Sequence, residues 1–173
     1  NGEIIEENQT ETVQAIPKET AFLMTDLLKA VVTEGTGWRI RAMKRPAAGK
    51  TGTTNDLKDA WFMGYTPGLV TGVWVGYDDA KEMGKGETGS RAASPIWLEF
   101  MSETLKGKPK KDFKVPEGIV FAKIDAKTGL LAGRHSKKTV FQSFKEGTEP
   151  KKYSPKPASA KLSSFSQFDM DSD

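Results

Sequence analysis

The chain has 173 residues, 36% of them apolar and 28% charged, enough for a modest globular core. Its 26 basic and 23 acidic side chains leave a formal net charge of +3, too small an excess to point to a nucleic-acid partner. No cysteine is present, which excludes disulfides and thiolate metal sites, and no run approaches the ~18 apolar residues of a membrane span.

The opening "NGEIIEENQTE" carries neither an initiator Met nor a signal peptide, so it reads as the interior of a longer chain. Ile4-Ile5 and Thr12-Val13 predict two short strands around a turn. Pro17 then stands at the start of a predicted helix. Phe22, Leu23, Leu27, Leu28, Val31 and Val32 recur at helical spacing and predict a core-facing stripe, which Gly35 and Gly37 end. Strands are predicted over 47–54, 59–66 and 69–77, and the Pro67-Gly68 turn makes the last two a hairpin. Short connections favour antiparallel pairing throughout. "ASPIWLEFMSETLKG" predicts a second helix, with Ser94 as its cap and Pro95 at its first position.

Four regions are expected. Residues 1–106 form the main α+β body, an antiparallel sheet flanked by helices. Residues 107–118, "GKPKKDFKVPEG", form a basic, solvated linker. Residues 119–150 form a small β-rich appendage, and residues 151–173 a Ser/Pro-rich disordered tail.

Gly49-Lys50-Thr51 is the ending of a phosphate-binding loop, but the loop's first glycine is replaced by Lys44, and Pro46 removes an N–H from the stretch between. Strand-forming residues follow where that loop needs a helix, so a nucleotide site is rejected. His135 is the only histidine and sits among turn residues and lysines. Asp78-Asp79 sits at a strand end, where carboxylates usually serve turns. No metal or other cofactor is expected.

Lys50-Thr51-Gly52-Thr53-Thr54 remains. On a strand, Thr51 and Thr53 project to one face, while Gly52 faces the other way or admits another backbone closely. A fixed cation, two hydroxyls and the Thr53 N–H suit a substrate with a carboxylate beside a reactive carbonyl. The expectation is a single polar face built from Lys50, Thr51 and Thr53. An ordinary threonine-rich strand with a surface lysine fits the five residues equally.

The longer run "GTGWRIRAMKRPAAGKTGTTNDLKDAWFMGYTPGLVTGVWVGYDD" resembles the third-motif region of class A penicillin-binding proteins, and "ASPIWLEFM" and "VPEGIVFAKIDAKTG" resemble that family's later segments. The resemblance covers roughly residues 1–150. It implies the C-terminal part of a penicillin-binding transpeptidase or serine β-lactamase-like fold, and a peptidoglycan D,D-transpeptidase working through an acyl-serine. It implies Lys50 and Thr53 as catalytic residues, and Lys50, Thr51, Gly52, Thr53 and Thr54 as substrate-binding residues. The implied partners are peptidoglycan stem peptides, β-lactams and the N-terminal remainder of the transpeptidase domain, with no membrane contact by this chain itself. The implied location is extracytoplasmic, on a parent that is membrane-anchored and also a glycosyltransferase.

One departure is large. No serine in the chain has Lys three positions later, and no Ser-x-Asn occurs. The nucleophile and the second motif are therefore expected outside this chain. A non-catalytic module that binds a cell-wall peptide or a protein partner is the alternative, although the unbroken motif favours the enzyme.

Overall fold

A computed structural model describes Ile5 and residues 13–156. The two strands expected around Ile4-Ile5 and Thr12-Val13 lie largely outside the described residues, and Ile5 and Val13 are in neither strand nor helix. The first helix, α1, spans Lys18–Thr33, with Pro17 as its N-cap. Its expected core stripe is only partly realised. Phe22 and Val32 are buried, whereas Leu27 is 53% exposed. Periodicity marks the apolar side of a helix, but burial depends on what covers it, and α1 meets the sheet mainly at β1 (Ala48–Thr53), with Thr25 also hydrogen-bonded to Tyr65. The predicted glycines do close the helix. Gly35 N–H donates to Ala30 and Val31 carbonyls, and Gly37 N–H donates to Val31 O. A 3₁₀ helix over Trp38–Met43 follows, a feature not expected from the sequence, and it buries Ile40.

Strands β2 (Asp59–Thr66) and β3 (Leu69–Gly76) continue from β1 into a three-stranded antiparallel sheet of order β1-β2-β3. These bounds fall within a residue of those predicted. Alternation is clear on β2, where Ala60, Phe62, Gly64 and Thr66 are buried and Trp61 and Met63 are exposed. The helix α2 (Ser94–Thr104) covers the Phe62 face. A π-helical turn over Gly89–Ala93 leads into it. That turn changes the expected capping: Ala93 is the N-cap, and Ser94 is the first helical residue. Helical carbonyls already precede Ser94, so its hydroxyl donates back to Ser90 O at 2.8 Å.

Phe62 and Trp97 are the largest side chains at the centre of the core, both fully buried, with ring centroids 5.2 Å apart in an edge-on arrangement. Trp97 Nε1 donates to Thr71 O at 3.0 Å, which satisfies its polar end. Gly64 makes room for this pair, since a Cβ there would stand 2.7 Å from Phe62 and 2.8 Å from Trp97. The opposite sheet face is far less covered. Trp61 is 45% and Trp74 43% exposed, with Met63 and Val70 beside them. Phe62, by contrast, lies under α2 and Trp97.

Residues 107–118 keep exposed lysines, but their backbone is anchored. The Arg45 guanidinium donates to Leu105 O at 2.7 Å, Lys108 O at 2.5 Å and Pro109 O at 3.1 Å. Phe113 packs edge-on against Tyr65 at 5.7 Å. A long-range arginine thus fixes the backbone at the start of a stretch whose side chains stay mostly exposed.

The chain divides into two compact units. The first runs to Val120 and includes Ser143–Gly147; the second holds Phe121–Gln142 and the described residues from Thr148. Strands β4 (Ile119–Asp125) and β5 (Thr139–Lys145) form a separate two-stranded sheet. In the second unit, Leu131 bridges both Ile124 and Tyr153. Residues 152–154, at the start of the expected tail, are therefore held by an isolated bridge to Leu131, while residues 157–173 lie outside the described residues. Asp125 organises the turn after β4, accepting from Lys127 N–H at 2.9 Å and Thr128 N–H at 3.2 Å.

Two outcomes follow from these contacts. Phe62→Ala removes a fully buried ring, so equilibrium urea unfolding of the chain should show a loss of about 3–5 kcal/mol, against well under half that for Trp74→Ala on the open face. Hydrogen bonding from Ser136, then from the Lys127 and Thr128 amides, holds the Asp125 carboxyl below its ordinary value of 3.8. A depressed carboxylate pKa stabilises the fold above the unfolded value and ceases to do so as pH falls through the folded one. A carboxyl-carbon NMR titration of Asp125 should place its midpoint below 3.8, and Ser136→Ala should move that midpoint upward.

Candidate functional site

The five residues singled out by sequence lie on and just beyond β1, at the edge of the sheet. Register decides what each presents. Lys50 pairs with Met63, Thr51 with Phe62, Gly52 with Trp61 and Thr53 with Ala60. Directly opposed residues share a face, so Thr51 and Thr53 lie on the Phe62 side, and Lys50 and Gly52 on the side of Trp61 and Met63.

Thr54 N–H donates to Asp59 O at 3.1 Å. Bonded and non-bonded pairs alternate along an antiparallel ladder, so the backbone groups of Gly52 and Lys50 turn toward β2 and those of Thr53 and Thr51 turn toward the free edge. An oxygen approaching that edge finds the Thr53 N–H pointing outward.

The expected single face of Lys50, Thr51 and Thr53 is therefore corrected. The Lys50 chain starts on the opposite side and curls round the edge, where Nζ donates to Thr51 O at 2.8 Å and approaches Thr51 Oγ1 at 3.4 Å. The cation thus meets one hydroxyl, that of Thr51, at the edge. Thr54 is turned away from this meeting point. Its Oγ1 accepts from Lys58 and Asp59 N–H, each at 2.9 Å, and so holds the β1–β2 turn.

Gly52 lacks a side chain on the Trp61 face, where a Cβ would stand 3.1 Å from Trp61 Cβ. On the other face a second backbone does come close, at Gly89. A Cβ on Gly89 would press into Trp61 O and stand 2.5 Å from Gly52 O. Gly89 N–H donates to Thr53 Oγ1 at 3.0 Å. The Thr51 hydroxyl shares a hydrogen bond of 2.8 Å with the Thr36 hydroxyl, and Ser90 Oγ donates to Thr36 O at 2.8 Å.

Sequence reasoning missed Thr36, Gly89 and Ser90. They lie 15, 36 and 54 residues from the groups they bond, with no local spacing to mark them.

His135 is exposed. Among the described residues no group of three His, Cys, Asp or Glu is placed to hold a metal ion, and no helix is long and apolar enough to cross a membrane. A cavity of about 280 Å³ opens at the other end of the sheet, lined by Arg45, Thr66, Leu69, Leu105 and Lys108 among others. None of the five predicted residues reaches it.

Residues 3–102 match the family described as the penicillin binding protein transpeptidase domain, and residues 115–158 match the penicillin-binding protein 1A C-terminal domain. Among similar proteins, penicillin-binding protein 1A of Aquifex aeolicus is 45% identical over 150 residues, covering 87% of this chain and 20% of that protein. Penicillin-binding protein 1A of Pseudomonas aeruginosa is 44% identical over 142 residues, covering 82% of this chain and 17% of that protein. The crystal structure of penicillin-binding protein 1A from Haemophilus influenzae superposes with a TM-score of 0.74 at 37% identity, over 81% of this chain and 22% of that one. The chain thus spans about a fifth of the length of the relatives it matches.

Replacing Gly89 by Ala should be costly. The new methyl meets backbone atoms that cannot move aside, so thermal unfolding should show destabilisation of about 1–3 kcal/mol, and the NMR resonances of Thr53 should shift as the Gly89 amide withdraws.

Proposed function

The chain belongs to the penicillin-binding protein transpeptidase family, and on that premise we propose that it forms the carboxylate-binding and oxyanion wall of a peptidoglycan D,D-transpeptidase. The observation that carries the reading is the free edge of β1, which presents an outward Thr53 N–H and the Lys50 ammonium beside Thr51, with the Thr51 and Thr53 hydroxyls on the adjoining face. A stem peptide ending in D-Ala-D-Ala offers a carbonyl one residue from a terminal carboxylate, and a β-lactam offers the same two groups.

In this reading a serine outside the chain attacks the carbonyl. The carbonyl oxygen gains negative charge as the tetrahedral intermediate forms, and the Thr53 N–H donates to it. The Thr51 and Thr53 hydroxyls hold the carboxylate, with Lys50 supplying the countercharge. Collapse of the intermediate expels the terminal D-Ala amine and leaves an acyl-serine. Gly52 keeps the Trp61 side of the edge open to the substrate, and Thr54 fixes the turn that ends the strand.

The remainder of the transpeptidase domain is the partner this reading requires. It supplies the nucleophile and covers the open face of Trp61, Met63, Val70 and Trp74. Residues 1–106 are assigned to the transpeptidase domain, 107–118 to a connector, 119–150 to a C-terminal appendage and 151–173 to a tail. The site works outside the cytoplasm, where peptidoglycan is assembled, on a membrane-anchored parent that is also a glycosyltransferase.

The test is acylation by a labelled penicillin. The isolated chain should take no label, because the attacking serine is not in it. In protein carrying the complete domain, Lys50→Ala should lower the second-order acylation rate on the order of 10²–10³-fold while circular dichroism stays unchanged. A folded Lys50→Ala protein that reacts at the normal rate would contradict the assignment.

A further inference from the structure

The two threonine hydroxyls on β1 are not left to orient themselves. Each is held from behind by a group that the motif does not contain. Gly89 N–H donates to Thr53 Oγ1 at 3.0 Å. This bond occupies a lone pair of the hydroxyl and leaves its own proton to point elsewhere. On Thr51, the Lys50 ammonium approaches the hydroxyl oxygen at 3.4 Å and the Thr36 hydroxyl lies at 2.8 Å. With Thr36 as the donor, Thr51 Oγ1 is a double acceptor, and its proton is likewise directed outward.

Thr36 itself is located by the turn before α2. Ser90 Oγ donates to Thr36 O at 2.8 Å, and the fully buried Ser94 donates to Ser90 O at 2.8 Å. A line of hydrogen bonds therefore runs from the core serine at the head of α2, through the π-helical turn and the loop after α1, to the edge of β1. The turn's approach is as close as a glycine allows at Gly89. The same short segment thus reaches Thr53 directly and Thr51 through Thr36.

Resting on the transpeptidase reading, the geometry points to Thr36 and Ser90 as positioning residues for carboxylate recognition. Thr36 sets the Thr51 hydroxyl as a donor toward the bound carboxylate, and Ser90 sets Thr36. Neither touches the reacting carbonyl, whose donor is the Thr53 N–H. The consequence is selective. Loss of Thr36 weakens reaction with a substrate that carries the carboxylate and spares one whose carboxylate is masked.

The experiment uses protein carrying the complete transpeptidase domain, with benzylpenicillin and its methyl ester as paired probes. Thr36→Val removes the hydroxyl at nearly constant volume. It should lower the second-order acylation rate with the free acid by about tenfold, the worth of one hydrogen bond that orients a charged ligand, and change the rate with the ester by less than about twofold. Ser90→Ala should show the same selectivity with a smaller loss, and Thr36→Ser should restore the rate with the acid. Equal losses with both probes would assign Thr36 a merely structural role, and unchanged rates with both would show it to be uninvolved; either result overturns the inference and leaves the transpeptidase reading standing. A wild-type protein that neither probe acylates would overturn both. Thr36→Ser also serves as the folding safeguard, because a failure of rescue in a folded protein contradicts the hydrogen-bond account.

Discussion

The pairing of Gly52 with Trp61 governs the candidate site. Once that register is set, the parity of the antiparallel ladder sends the Thr51 and Thr53 backbone groups to the free edge and their side chains to the α2 side. A slip of one residue would reverse both assignments, turning the hydroxyls to the open face and the Thr53 N–H inward. The register is held by unequal faces. Phe62 must enter the core, and Trp61 pairs across the strands with Trp74, their ring centroids 6.4 Å apart. At the far end of β1, the Thr54 hydroxyl pins the turn into β2.

Rigidity behind the edge comes from close packing. Gly64 lets the Phe62 and Trp97 rings nest against β2, and Gly89 lets the π-helical turn lie directly on the β1–β2 ladder. Both contacts fix backbone against its surroundings with little slack. A site that stabilises developing charge gains from donors already in place, since none then has to reorganise as the charge appears. The edge position is equally consequential. An inner strand would spend the Thr53 N–H on a neighbour, and only an edge leaves it for a ligand.

How much of this was legible in the sequence depended on range. The β2–β3 hairpin was readable because Pro67-Gly68 and the alternation around Phe62 are local signals. The strand that carries the motif was readable because its residues are consecutive, whereas its reading as a substrate wall came from the family resemblance, since the five residues alone fit an ordinary strand equally. The burial of α1 was not, since Leu27 has the periodicity of a core residue and lacks a neighbour to cover it. Lys50 does not share the face of Thr51 and Thr53, since strand alternation starts it on the opposite side and only its long chain brings the ammonium to the edge, at Thr51 O. Ser94 was read as a cap because nothing local announces the π-helical turn before it. The anchoring of the linker's start was not readable because its partner, Arg45, lies some sixty residues away. Thr36 and Ser90 escaped notice for the same reason.

The open face of the sheet and the free edge of β1 adjoin each other, and the transpeptidase reading gives both one explanation: a part of the domain outside this chain packs on the first and delivers a nucleophile to the second. The most direct measurement is a crystal structure of the complete domain acylated by a penicillin. The account predicts the ester carbonyl oxygen within hydrogen-bond distance of Thr53 N–H, and the ligand carboxylate on the hydroxyls of Thr51 and Thr53 with the Thr36–Thr51 bond intact. A carboxylate held elsewhere, with the β1 edge empty, would contradict it.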